Sequence, residues 1–133
     1  MKMKRVGFAI LCLALWVAWG TTAFAADAVP AVGAEAAQQR LREGNKRYVE
    51  ARMAHPDQTA RRRGEIAGGQ QPFAVIVSCS DSRVPPEVIF DQGLGNLFII
   101  RLAGNIVDAA ALGSIEYAVE HLGVRYVMVL GHE

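Results

Sequence analysis

Apolar and polar positions change their period several times along the chain, and each change marks an element. From Ala34 to about Met53 the spacing is helical, with Leu41, Tyr48 and Val49 on one face. Gly44-Asn45 weakens the middle of that helix, and His55-Pro56 ends it, because the residue before proline avoids the α region. A polar, Arg-rich stretch follows and predicts a second short helix that closes at Gly68-Gly69. Phe73 to Ser78 is then continuously apolar and β-branched, the pattern of a strand buried on both faces. Leu97 to Leu102 is a second such run, broken only by Arg101. Asp108 caps a helix that continues to about Leu122, with Leu112, Ile115, Val119 and Leu122 on one stripe and Gly123 as the stop. Tyr126 to Leu130 predicts a third buried strand. Strand, helix and strand in such close succession make a βαβ unit, so the fold class is α/β, a parallel β-sheet with flanking helices and right-handed crossovers.

Composition changes this picture only at the beginning of the chain. Met1 to Arg5 carries three positive charges and no acid, an apolar run extends from Val6 to about Trp19, and Ala23-Phe24-Ala25 offers a small-x-small cleavage pattern. These zones read as a secretory signal over residues 1–25. The apolar run is too short for a membrane span, which needs about 20 residues. Residues 26–33 read as a flexible leader and residues 34–133 as the domain, placing the mature protein in the periplasm or outside the cell. The chain has 133 residues, 14 basic and 13 acidic. Losing the three leading cations leaves a slight acidic excess, which calls for neither nucleic acid nor an anionic membrane. Arg61-Arg62-Arg63 reads as a solvated face. Cys12 departs with the signal, so Cys79 is the only cysteine left. A lone thiol in an oxidising compartment is buried and inert, paired elsewhere, or held by a metal.

The neighbours of Cys79 favour the metal. In open parallel sheets, function collects beyond the carboxyl ends of the strands, where strand order reverses. Cys79 directly follows the first strand, and His132 follows the third through Gly131. If those strands are neighbours, about 4.8 Å apart, the two side chains meet at one edge. In Cys79-Ser80-Asp81-Ser82-Arg83 alternate residues point the same way, so Cys79, Asp81 and Arg83 face one pocket. A thiolate, an imidazole and a carboxylate suit zinc. Arg83 can hold the Asp81 carboxylate through paired hydrogen bonds, keeping it ionised and aimed. Other candidates carry less. His121 near a helix end reads as a dipole-compensating surface group, His55 as a turn residue, and Gly104-Asn105 as turn chemistry bordering the pocket. Asp91-Gln92-Gly93-Leu94-Gly95 precedes a strand and so is no nucleotide loop. Arg101 reads as the partner of an acid at a subunit or domain contact.

Cys79-Ser80-Asp81-Ser82-Arg83, Arg101-Leu102-Ala103-Gly104-Asn105 and Gly131-His132 together resemble the β-class carbonic anhydrases. The likeness runs from about Leu41-Arg42-Glu43-Gly44-Asn45 to Glu133. The resemblance implies zinc as cofactor, with Cys79 and His132 as ligands and Asp81 as a further ligand in a closed state of the site. It implies Asp81 and Arg83 as the catalytic pair, Gln92 as a substrate-hydrogen-bonding glutamine, and carbon dioxide and bicarbonate as substrate and product. A homodimer or higher homo-oligomer is implied as well. The family's remaining ligand is a cysteine three positions after the histidine, and the sequence stops at Glu133, so a partial domain, incomplete at its C-terminus and inactive alone, is the expectation. Two alternatives share these residues: hydrolysis of carbon disulfide or carbonyl sulfide on the same zinc site, and a non-enzymatic exported domain with a decayed site.

Overall fold

The computed structural model of the protein describes residues 31–133. The signal segment and most of the 26–33 leader lie outside the described residues.

Three strands form one parallel sheet in the order β2-β1-β3, where β1 is Ala74–Ser78, β2 is Leu97–Arg101 and β3 is Val127–Leu130. The register sets Ser78 opposite Arg101 on one side and opposite Leu130 on the other, so the strands end together at one rim. β1 is buried along its whole length, as its unbroken apolar run requires. The expectation that β2 and β3 are equally buried is corrected. β2 is mostly half-buried, and β3 alternates, with Val127 and Val129 exposed and Met128 and Leu130 half-buried. The cause is position, because a strand pattern reports apolar faces and not neighbours, and among the described residues only β1 has a strand on both sides.

The helices divide between the two faces. α1 (Ala34–Val49) packs Ala37 and Leu41 against Phe73, Ala74, Ile76 and Phe90. Its buried stripe continues through Gly44, whereas Tyr48 is half-exposed and Val49 is 73% exposed, so the expected Leu41–Tyr48–Val49 face is corrected. A Cβ at Gly44 would stand 1.7 Å from the Phe90 carbonyl oxygen, and the neighbouring Asn45 amide donates to the Ile89 carbonyl at 3.2 Å. The supposed weak point of the helix is therefore its closest contact, against α3 (Pro86–Ile89). α2 (Ala60–Glu65) is capped by the Thr59 hydroxyl; Arg61 and Arg63 are exposed on it, while Arg62 donates to the Leu94 carbonyl at 3.1 Å.

On the opposite face lies α4 (Ala109–Glu120), capped by Asp108, whose carboxylate accepts the Ala111 amide at 2.9 Å. Gly123 follows at φ 68°, a conformation that ends the helix at little cost for glycine. Ala111, Ile115, Ala118 and Leu122 face Val75, Val77 and Ile100, while Leu112 and Val119 are exposed. The expected stripe is thus rotated. Two alanines let the helix lie close to the sheet, and that gain in packing outweighs hiding the larger side chains.

Candidate metal centre at the carboxyl rim

Because β1 lies between β2 and β3, the chain leaves it toward one side and returns on the other, which makes the carboxyl end of β1 a switch point. Cys79 emerges there half-buried, and His132 leaves the neighbouring β3 through Gly131. The two residues leave adjacent strands at the same rim, close enough for each to shift the other's proton affinity. The His132 contact, helped by the Asp81 and Gly104 backbone amides, lowers the Cys79 thiol to about 7, and the same contact raises the His132 imidazole. The expected meeting of these two residues is what the strand order delivers.

Asp81 and Arg83 form the anticipated fork. Arg83 Nε lies 3.0 Å from Asp81 Oδ1 and Nη2 lies 2.8 Å from Oδ2, while the Arg83 amide donates to Oδ1 at 2.9 Å. These contacts hold the Asp81 carboxyl well below the usual carboxylate range and raise the Arg83 guanidinium. With Asp81 turned onto Arg83, the described residues contain no group of three Cys, His, Asp or Glu side chains placed to hold a metal ion. A thiol already lowered toward neutrality beside an imidazole nevertheless fits zinc in kind, and a tetrahedral ion would take its other donors from elsewhere.

Gln92 is not brought to this cluster. Its amide donates to the Phe90 carbonyl at 3.0 Å and its carbonyl accepts from Asn96 at 3.3 Å. The Phe73 amide in turn donates to the Asn96 carbonyl, so Gln92 stands at the amino rim of the sheet, the end opposite Cys79. β1 spans five residues, which at about 3.3 Å per residue leaves Gln92 beyond direct reach within one chain.

Arg101 was expected to meet an acid at a subunit or domain contact; it turns inward instead. Its Nε donates to the Cys79 carbonyl at 2.8 Å and its Nη2 to the Asp81 carbonyl at 2.5 Å. Asn105, beyond the 3-10 turn Ala103–Asn105, donates to the Leu130 carbonyl at 2.7 Å. Both border the candidate site; the sequence placed Gly104-Asn105 beside the pocket but did not reveal the carbonyl contacts that Arg101 and Asn105 make. The available signal was a lone cation at the carboxyl end of an otherwise apolar strand.

A parallel sheet covered by helices on both faces, with a thiol, an imidazole and an arginine-held carboxylate at one rim, defines an α/β protein with donor chemistry for zinc. The family model described as carbonic anhydrase matches residues 74–133. Carbonic anhydrase 2 of Mycobacterium tuberculosis is 51% identical over 105 residues, which are 79% of this chain and 51% of the relative. The carbonic anhydrase of Mycolicibacterium smegmatis is 49% identical over 98 residues, 74% of this chain and 48% of the relative. Among solved structures, a Coccomyxa β-carbonic anhydrase in complex with acetazolamide superposes with a TM-score of 0.53 at 32% identity, covering 69% of this chain and 41% of that one. The β-carbonic anhydrase CcaA gives 0.54 at 32% identity, with 72% and 48% covered. The chain matches the β-class carbonic anhydrases in sequence and in fold, and it spans about half the length of the curated relatives it matches.

Proposed function

We propose that the intact protein catalyses the reversible hydration of carbon dioxide to bicarbonate and a proton, using one zinc ion held by Cys79 and His132. The reading further includes export to the periplasm or beyond after loss of residues 1–25, and assembly as a homodimer or higher homo-oligomer. One observation carries it: the strand order brings a thiol and an imidazole to one rim at the switch point, with an arginine-held carboxylate two residues from the thiol.

Zinc, when bound, supplies a Lewis acid that lowers the pKa of water, to about 7 where three histidines hold it in other carbonic anhydrases. Thiolate donates more electron density than imidazole, so acidification here is weaker and the protein's own groups matter more. Arg83 keeps Asp81 ionised and fixed, leaving the carboxylate able to accept the O–H of an attacking water and turn the oxygen lone pair toward carbon dioxide. As the new C–O bond forms, the proton released passes to solvent, because a carboxylate held this far below the usual range orients the water without retaining its proton. Arg83 itself is exposed, so the exit is open to water.

Asp81→Asn in the full-length gene product tests the proposal. Zinc content should be retained while stopped-flow hydration falls by roughly 100-fold or more. Hydration at the wild-type rate in that variant would remove Asp81 from the mechanism.

A further inference from the structure

The two donors of the proposed site sit on separate loops, one after β1 and one after β3. A single short segment touches both. The β2 ladder runs on past Arg101, with the Leu102 amide on the Ser78 carbonyl at 3.1 Å and the Ser80 amide on the Leu102 carbonyl at 3.3 Å. From this anchored base the Arg101 guanidinium crosses to the loop after β1 and binds the carbonyls on both sides of Ser80. Gly104 at φ 69° and Asn105 at φ 57° then reverse the chain and send the Asn105 amide to the last carbonyl of β3. Glycine and asparagine tolerate that left-handed backbone better than other residues.

We infer that the segment from Arg101 to Asn105 is a bracket that fixes both donor loops at once, with Arg101 and Asn105 as positioning residues for the thiol and the imidazole. The inference rests on the zinc reading for its purpose but not for its geometry. Arg101 makes no ion pair among the described residues, so its charge is directed wholly at backbone carbonyls. A guanidinium suits this task because its planar fork meets two acceptors at fixed spacing, which an ammonium cannot do. With the carbonyls of Cys79 and Asp81 both held, the side chains of those two residues keep a common direction. With the Leu130 carbonyl held, the start of the Gly131-His132 turn is fixed on β3. An unbraced pair of loops must be ordered by the ion itself, at a cost in affinity.

The experiment compares the full-length wild-type protein with Arg101→Met and Asn105→Ala, by backbone hydrogen exchange without metal and by zinc affinity in chelator competition. In Arg101→Met, amides from Ser80 to Val84 should exchange faster while those within β1 keep their protection. In Asn105→Ala, faster exchange should appear from Gly131 to Glu133 instead. Each variant should bind zinc roughly 10–100-fold more weakly than wild type. Where wild type binds zinc, an affinity equal to wild type in both variants overturns the inference. A purely structural role would lower protection throughout the sheet, and that result also overturns it. Should Arg101→Met fail to fold, Arg101→Lys retains the charge and one carbonyl contact; an intermediate loss of affinity supports the bracket, and full affinity refutes it. A wild-type protein that binds no zinc and hydrates no carbon dioxide sinks the proposed function, and the local exchange pattern then decides the bracket alone.

Discussion

Asp91 is buried at 1% exposure, yet it lies outside the candidate metal centre and serves the chain reversal after α1. Its carboxylate faces Arg47 Nε at 2.5 Å and accepts the amides of Ala54 and His55, each at 2.9 Å. Burial pushes this carboxyl up, but the Arg47 contact and the two backbone amides outweigh burial, and the net direction is down. A depressed folded-state value means the contribution to stability is complete above the unfolded-state value of about 4 and is lost as pH falls through the folded-state value. Asp91→Ala should cost about 2–3 kcal/mol in urea denaturation at neutral pH, less than a fully buried pair because Arg47 is one-third exposed. The variant should also lose less stability than wild type on acidification through that window. Equal midpoints for the two proteins at neutral pH would show that the carboxylate is dispensable.

At the scale of elements, the close approach of α1 to α3 depends on Gly44. A methyl group there would stand 1.7 Å from the Phe90 carbonyl oxygen and 3.1 Å from the Gln92 amide nitrogen, and backbone cannot yield as a flexible side chain can. Alanine is the better helix former by roughly 1 kcal/mol, so propensity alone predicts that Gly44→Ala stabilises. The contact predicts the reverse, a net loss of about 3 kcal/mol as α1 is forced off the sheet. A thermal melt separates the two, since a raised midpoint in Gly44→Ala would mean that the helix has room to move. By contrast, α4 rests on Ala111 and Ala118, and its exposed Leu112 and Val119 tolerate polar substitution.

For the whole molecule, β3 decides how the described domain behaves. Val127 and Val129, opposite Val75 and Val77, lie on the α4 side of the sheet, but both are exposed, Val129 at 66%. Among the described residues no strand pairs with the outer edge of β3, and an apolar edge strand recruits other strands. A polypeptide of residues 31–133 should therefore self-associate, and Val129→Lys should reduce the association, as read by sedimentation velocity. A wild-type polypeptide that sediments only as a monomer would contradict this.

Local order and chemistry were both legible in the sequence. The burial of β1, the Asp108 cap, the Gly123 stop and the donors at strand ends follow from side-chain size, backbone preference and period, all of which act between near neighbours in the chain. Which segments become neighbours in space was not legible. The order β2-β1-β3 joins Cys79 to His132, sends Gln92 to the opposite rim, leaves β3 at an edge, and turns Arg101 from a supposed interface cation into a clamp on two carbonyls. A repeating pattern states which side of an element is apolar, but it does not state what lies across from that side. That is settled when distant segments compete for the same space, and only the tertiary structure records the result.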